Sequence, residues 1–241
     1  MEEIKYNPEF LEIVNDLTPI TNHIVFEKNE SSVIVLRQNM EKTVNYVIKA
    51  PKEYFDFPTE SFAFYDYGEF FKFLKCFSAP KLYTDGTIIS INDDTSNIEY
   101  LLSDRNSLFK RCEGKNFNFK NVDIKFTLSK QDLDTITKMV SSFQSQRIQI
   151  YGDHNELYIK IGTNEKTRSN SFCKKFDFEN VSKFEGEYDF MIHSQIFKDF
   201  LPKRKIYEVE IIRKGFMKIH LVNENNIDLN IFTTYITGKG R

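Results

Sequence analysis

The sequence is poor in the residues that mark disulfide frameworks, zinc sites and phosphate-binding loops. It has no tryptophan, only 9 glycines among 241 residues, and only three cysteines, Cys76, Cys112 and Cys173. An odd number of widely spaced cysteines favours neither a disulfide framework nor a metal site, and it fits a reducing compartment. We therefore expect a cytoplasmic protein.

Long apolar runs are absent as well. No stretch of about 18 apolar residues exists, so no membrane span is predicted. The N-terminal residues Met1-Glu2-Glu3-Ile4 are acidic and lack the apolar segment of a signal peptide. No membrane partner is expected.

The sequence also offers no pattern typical of a catalytic or cofactor site. The four histidines, His23, His154, His193 and His220, are scattered without metal-ligand spacing. No glycine-rich loop with a following Lys-Ser or Lys-Thr is present. Cys76 lies on an apolar helix stripe and is predicted to be core. We predict no enzyme, no cofactor and no metal.

The charge is nearly balanced overall but is unevenly distributed. The net charge is -2. Residues 1–122 carry 14 Lys and Arg against 19 Asp and Glu, a net charge of -5, whereas residues 123–241 carry 19 against 16, a net charge of +3. Any binding to nucleic acid must therefore rest on local basic patches.

Two helix starts recur about 120 residues apart. Asn7-Pro8-Glu9 is a good N-terminus for one helix, and Ser129 with an acid three residues later opens another. Each follows a short strand pattern, and the strands Ile4-Lys5-Tyr6 and Ile124-Lys125-Phe126 are nearly the same tripeptide. The apolar stripe predicted for the first of these helices is Phe10, Ile13, Val14 and Leu17.

A second pair of helices repeats in the same way. One starts near Asp66, with the apolar stripe Phe70, Phe73, Leu74 and Phe77, and the other starts near Ser194. The two regions align at a constant offset of 126: Phe64-Tyr65 matches Phe190-Met191, and Phe71-Lys72 matches Phe197-Lys198. Three candidate strands follow every helix. The chain is thus an α+β protein with four copies of a strand-helix-strand-strand-strand unit. We predict two similar domains, 1–103 and 122–241, joined by a connector, 104–121.

Four such copies in this length resemble the DNA clamp fold. The segment from Phe64 to Leu74, the run from Asp85 to Leu101, and Leu128 to Leu133 resemble the sliding clamps of T-even-type bacteriophages. The cellular clamp, the proliferating cell nuclear antigen, has a C-terminal partner-binding tail for which we find no match here.

The resemblance implies a ring-shaped homotrimer, because clamp rings use six domains. In such a ring the helices line the pore around duplex DNA, the sheets form the outer wall, and an ATP-dependent loader opens the ring. The implied function is that of a processivity factor in DNA replication, which tethers a DNA polymerase. A viral source would place it in the host cell cytoplasm.

A ring that slides needs a diffuse basic lining that contacts phosphates without reading bases. The first helix carries Glu9, Glu12 and Asp16, which do not suit this role. The basic residues of the other helices are the predicted DNA-binding set: Lys72, Lys75, Lys130, Lys138, Arg147, Lys198, Lys203, Arg204 and Lys205. The alternative is that these residues form ordinary solvated helix faces.

Clamps receive partner peptides in an apolar pocket beside the connector. The predicted residues here are Leu108, Phe109, Phe117 and Phe119 of the connector, completed by Tyr235 and Ile236. Alternatively, these connector residues seal the two domains together.

Two other functions remain open on the sequence. One is a β-rich structural or assembly protein of a virion without DNA function. The other is a hydrolase whose site is assembled from distant carboxylates.

Overall fold

The protein is described here from a computed structural model. The structure describes residues 1–16, 22–38, 44–93, 95–104, 122–162, 170–183, 185–197, 206–212, 215–222, 226–234 and 236–237. The chain divides into two compact units: unit 1 comprises residues 1–116 and 224–229, and unit 2 comprises residues 117–223 and 230–241. The main division falls within the predicted connector. Residues 224–229 belong to unit 1, which the sequence does not predict.

Unit 1 contains two copies of the predicted unit. The elements are β1 (Glu2–Tyr6), α1 (Pro8–Asn15), β2 (Ile24–Lys28), β3 (Ser32–Gln38), β4 (Val44–Pro51), a 3-10 turn (Lys52–Tyr54), β5 (Phe55–Asp56), β6 (Ser61–Phe64), α2 (Tyr67–Leu74), β7 (Lys81–Thr84), β8 (Ile88–Asn92) and β9 (Asn97–Leu101).

Unit 2 repeats this order. Its elements are β10 (Ile124–Leu128), α3 (Lys130–Phe143), β11 (Arg147–Gly152), β12 (Leu157–Ile161), β13 (Phe172–Phe176), β14 (Phe178–Asn180), β15 (Tyr188–His193), β16 (Ile206–Ile212), β17 (Phe216–Val222), β18 (Asp228–Thr234) and β19 (Ile236–Thr237). The predicted helix from Ser194 falls mostly outside the described residues. No helix in the described part of the chain combines the length and the apolar character needed to cross a membrane.

The helices begin at the predicted capping residues. Asn7 Oδ1 accepts a hydrogen bond from the Phe10 backbone N–H at 3.1 Å, and Asp66 Oδ1 accepts one from Glu69 N–H at 3.0 Å. Ser129 and Asp132 form a reciprocal capping box at the start of α3. These bonds satisfy backbone donors that the first helical turn leaves without partners.

In each unit, every copy contributes its first strand to the sheet of the other copy. In unit 1, β1 pairs with β7 and β6 pairs with β2. In unit 2, β10 pairs with β16 and β15 pairs with β11. The strand orders are β5-β1-β7-β8-β9 and β6-β2-β3-β4 in unit 1, and β14-β10-β16-β17-β18 and β13-β12-β11-β15-β19 in unit 2. This exchange locks the two copies of a unit together, and it recurs in both units.

Aromatic side chains fill the core of unit 1. The Phe26 ring lies 5.5 Å from Phe64 and 5.7 Å from Tyr67, and Phe64 lies 4.8 Å from Phe70. The side of the sheet that carries Phe26 and Phe64 therefore faces the helices. Phenylalanine is thus a core residue in this unit.

Two predictions about α2 need correction. The buried stripe of α2 is Tyr67, Phe70, Phe71 and Leu74. Phe73 is only partly buried, and Phe77 lies beyond the end of the helix at Leu74. Cys76 lies beyond that end and is exposed, so it is not core. The helix α1 ends at Asn15, and Leu17 lies outside the described residues.

Candidate DNA-binding and partner-binding surfaces

Two predicted lysines of unit 1 lie at the C-terminal end of α2. Lys72 is exposed in its last turn, and Lys75 is its C-cap residue. Lys75 Nζ lies 4.0 Å from Glu12 Oε1 of α1 and 4.6 Å from the centroid of the Phe71 ring. Lys75 therefore forms an ion pair with Glu12, whereas Lys72 has no ion pair with another described residue. A cation at a helix C-terminus is also favoured by the helix dipole.

The lysines of unit 2 lie along one face of α3. Lys130 and Lys138 are exposed, and with Gln131, Asp134 and Thr135 they line an open depression. The apolar face of α3, with Leu133, Ile136 and Val140, is buried. The polar face of α3 is thus directed away from the core.

Arg147 is separated from these lysines. It is the first residue of β11, where Ile148 and Ile150 are buried and therefore point to the core beneath α3. Alternate strand residues point to opposite faces, so the exposed Arg147 lies on the face away from the helix. This placement removes it from the surface that Lys130 and Lys138 share.

The remaining predicted site residues cannot be placed in the same way. Lys198, Lys203, Arg204, Lys205, Leu108, Phe109, Phe117, Phe119 and Tyr235 lie outside the described residues. Ile236 pairs with Met191 through its backbone, as part of β19 on the edge of β15.

The structure also contains an apolar row that was not predicted from the sequence. On the face of unit 1 away from the helices, Ala63, Val25, Leu36 and Val47 lie directly opposite one another across β6, β2, β3 and β4. Leu36 is 37% exposed and Val47 is partly exposed. The signal was present in β3, where Val33 to Leu36 are apolar without alternation. Such a run is typical of a strand whose two faces are both apolar.

An aromatic pair flanks this row. The His23 and Tyr65 rings are 4.7 Å apart, Tyr65 is 62% exposed, and a His23 ring nitrogen lies 2.6 Å from the Tyr65 carbonyl oxygen. On the other side, the Ser103 backbone N–H donates to the Ala63 carbonyl oxygen at 2.8 Å. The chain therefore passes along the edge of β6, beside the row, just before the predicted connector.

The corresponding face of unit 2 is polar and aromatic instead. Tyr151 and Tyr158 stack with their centroids 5.4 Å apart, and Lys175 Nζ bonds Glu156 at 2.9 Å. The hydrogen bond between the Tyr151 hydroxyl and the Cys173 thiol raises the pKa of Tyr151 to about 12. The two units thus have the same architecture but different chemistry on this face.

Among the described strands that have a single strand neighbour, namely β5, β6, β9, β13, β14 and β19, the longest are β9 and β13. β9 has β8 as its one described strand neighbour, and β13 has β12. β9 carries Glu99 and the 71% exposed Leu101, whereas β13 carries Lys174 and Lys175. Exposed edges of this length invite pairing with another chain.

Within the described residues, no group of three His, Cys, Asp or Glu side chains could hold a metal ion.

Comparisons with known proteins identify the fold. No family model and no curated protein matches the chain. Among solved structures, PCNA of A. fulgidus bound to the C-terminal region of FEN-1 matches with a TM-score of 0.73 at 11% identity, over 100% of both chains. The PCNA2-PCNA3 complex of Sulfolobus tokodaii matches at 0.72 and 13%, over 98% of this chain and 99% of that one. PCNA of Entamoeba histolytica matches at 0.71 and 13%, over 94% of both chains.

The chain therefore has the DNA clamp fold along its whole length, which confirms the predicted fold. The matched structures are cellular clamps of archaea and of a eukaryote. They give no particular support to a T-even phage type, which stays a prediction from the sequence.

Proposed function

We propose that the chain is one subunit of a homotrimeric sliding clamp that encircles duplex DNA without sequence preference and tethers a DNA polymerase. The observation that carries the proposal is a clamp fold, matched over the full chain, whose helices α2 and α3 present exposed lysines. In this function the chain holds DNA and partners and catalyses no step.

The proposed DNA contact uses the helix lysines. Lys72, Lys130 and Lys138 are exposed on long flexible stems, so they can move between neighbouring phosphates. Such contacts are electrostatic and independent of sequence, which suits a sliding protein. The basic residues Lys198 and 203–205 are predicted to add to this surface.

Ring closure is proposed to occur by pairing of β9 of one subunit with β13 of the next. Glu99 on one edge and the lysines 174 and 175 on the other have opposite charges, and Leu101 and Phe172 supply apolar area. Each chain has one strand of each kind, so the contact is head-to-tail and generates a closed ring when the rotation fits. Three chains with two units each complete the six domains that the resemblance implies.

Partner proteins are proposed to dock on the apolar row of unit 1. Leu36 and Val47 would receive an apolar anchor, and Tyr65 with His23 would form an aromatic wall beside it. The chain passes this row at Ser103; the connector residues Leu108 and Phe109, outside the described residues, stay a prediction for the partner surface. The A. fulgidus clamp, which is bound to a region of another protein, is consistent with this role.

The first test is the mass of the assembly. Sedimentation at micromolar concentration should give a species of three times the chain mass of 28.6 kDa. The second is primer extension by the replicative polymerase of the same source with excess competitor DNA present, in which the ring should lengthen the product of a single binding event. A monomer at all concentrations, or unchanged product length, would count against the proposal.

A further inference from the structure

The two units differ in charge more strongly than the halves of the sequence suggest. Unit 1, residues 1–116 and 224–229, carries 13 Lys and Arg against 21 Asp and Glu, a net charge of -8. Unit 2, residues 117–223 and 230–241, carries 20 against 14, a net charge of +6. Phosphates approaching unit 1 therefore meet a repulsive background that unit 2 does not impose.

The first helices of the two units show the difference at equivalent positions. Counted from the N-caps Asn7 and Ser129, the first helical position is Pro8 in α1 and Lys130 in α3. Nine positions after the cap, Asp16 stands in unit 1 where Lys138 stands in unit 2. The two lysines that line the open face of α3 thus have a proline and an acid as their counterparts.

The second copies differ in the same direction. Lys72 and Lys198 are equivalent, but the basic run 203–205 corresponds, at the offset of 126, to Phe77, Ser78 and Ala79. Unit 1 therefore has no basic run at this position. Its other helix lysine, Lys75, lies 4.0 Å from the Glu12 carboxylate.

We propose that the contact with DNA is polarised, so that unit 2 supplies most of the phosphate contacts and Glu12 holds Lys75 back from the DNA. This inference rests on the proposed clamp function. A ring with one attractive and one repulsive unit per subunit holds DNA at three separated places. Fewer simultaneous phosphate contacts allow faster sliding.

Two matched double variants test the polarity. Lys130→Ala/Lys138→Ala removes the exposed pair of α3, and Lys72→Ala/Lys75→Ala removes the exposed pair of α2. The affinity of the assembled protein for a short fluorescent duplex is measured by anisotropy over a salt series. Each lost phosphate contact reduces the slope of log K against log salt by about 0.9. Because a trimeric ring carries six of these lysines, we expect the α3 variant to lower the slope by up to about 5 and the α2 variant by less than half as much.

Equal or larger loss in the α2 variant would overturn the polarity. Glu12→Gln should steepen the slope in the wild-type background and leave it unchanged in Lys75→Ala; a change of equal size in both backgrounds would overturn the role of the ion pair. Sedimentation of each variant checks that the ring is intact. Failure of the clamp function itself is separate, because it would appear as a wild-type protein that is not trapped on DNA with blocked ends.

Discussion

Replacing Leu101 by serine should make the proposed ring dissociate at a higher protein concentration than the wild-type ring. Leu101 is 71% exposed on the edge strand β9, which is proposed to pair with the next subunit. Complete burial of a leucine side chain stabilises by about 1.5–3 kcal/mol, so covering the exposed part contributes about 1–2 kcal/mol at each interface. A closed trimer has three such interfaces, which together amount to about 3–6 kcal/mol. The trimer association constant should therefore fall by about 10²- to 10⁴-fold.

The assay is sedimentation over a dilution series from micromolar to nanomolar protein. Ile206→Ser is the matched control, because Ile206 is 50% exposed on β16, a strand that is not proposed to face another subunit. We expect the Leu101 variant to dissociate at higher protein concentration than both the control and the wild type. Identical dissociation of all three proteins would show that β9 does not form the subunit interface.

Three further predictions concern the partner surface, a helix cap and a turn. Leu36→Ala should weaken binding of the polymerase by about 2- to 5-fold, because docking covers only the exposed third of this side chain; Ile206→Ala should leave binding unchanged. Ser129→Ala should lower the free energy of unfolding by about 0.5–2 kcal/mol in urea denaturation, whereas Ser142→Ala on the exposed face of the same helix should cost nothing. Hydrogen bonds from the Thr87 and Ile88 backbone N–H groups lower the pKa of Asp85 to about 2. Its stabilising effect is therefore complete above about pH 4, the range of a free Asp, and is lost as the pH falls towards 2. The difference in melting temperature between wild type and Asp85→Ala should accordingly shrink from pH 5 to pH 3, and a constant difference would contradict this assignment.

The local elements could be predicted because their signals are local. The capping residues Asn7, Asp66 and Ser129 fix where helices start, and alternation with turn residues fixes most strands. The strands β5, β14 and β19 have two or three residues, which is too short for any periodicity to register. They depend on neighbours distant in the sequence.

The exchange of first strands between copies could not be derived from local patterns. The tripeptides at Ile4 and Ile124 predict strands, but nothing in them says that each pairs with the other copy of its unit. Pairing of this kind is decided by the shared core, which only the folded unit provides.

The stripe of α2 was misassigned for a different reason. Four of its eight residues are aromatic and Phe77 follows it, so several helical faces look apolar in the sequence, and only the folded helix shows which face is buried. The apolar row through Leu36 depends on the register of four strands, which places Ala63, Val25, Leu36 and Val47 side by side and cannot be derived from any one of those strands.

Entrapment on a linear duplex tests the central claim most directly. The protein is allowed to thread over the free end of bead-bound DNA, the end is then blocked with a bulky protein, and the beads are washed at high salt. The account predicts that the protein stays on DNA with both ends blocked and leaves when a restriction enzyme frees one end. Equal retention with blocked and free ends would contradict a ring that encloses the duplex.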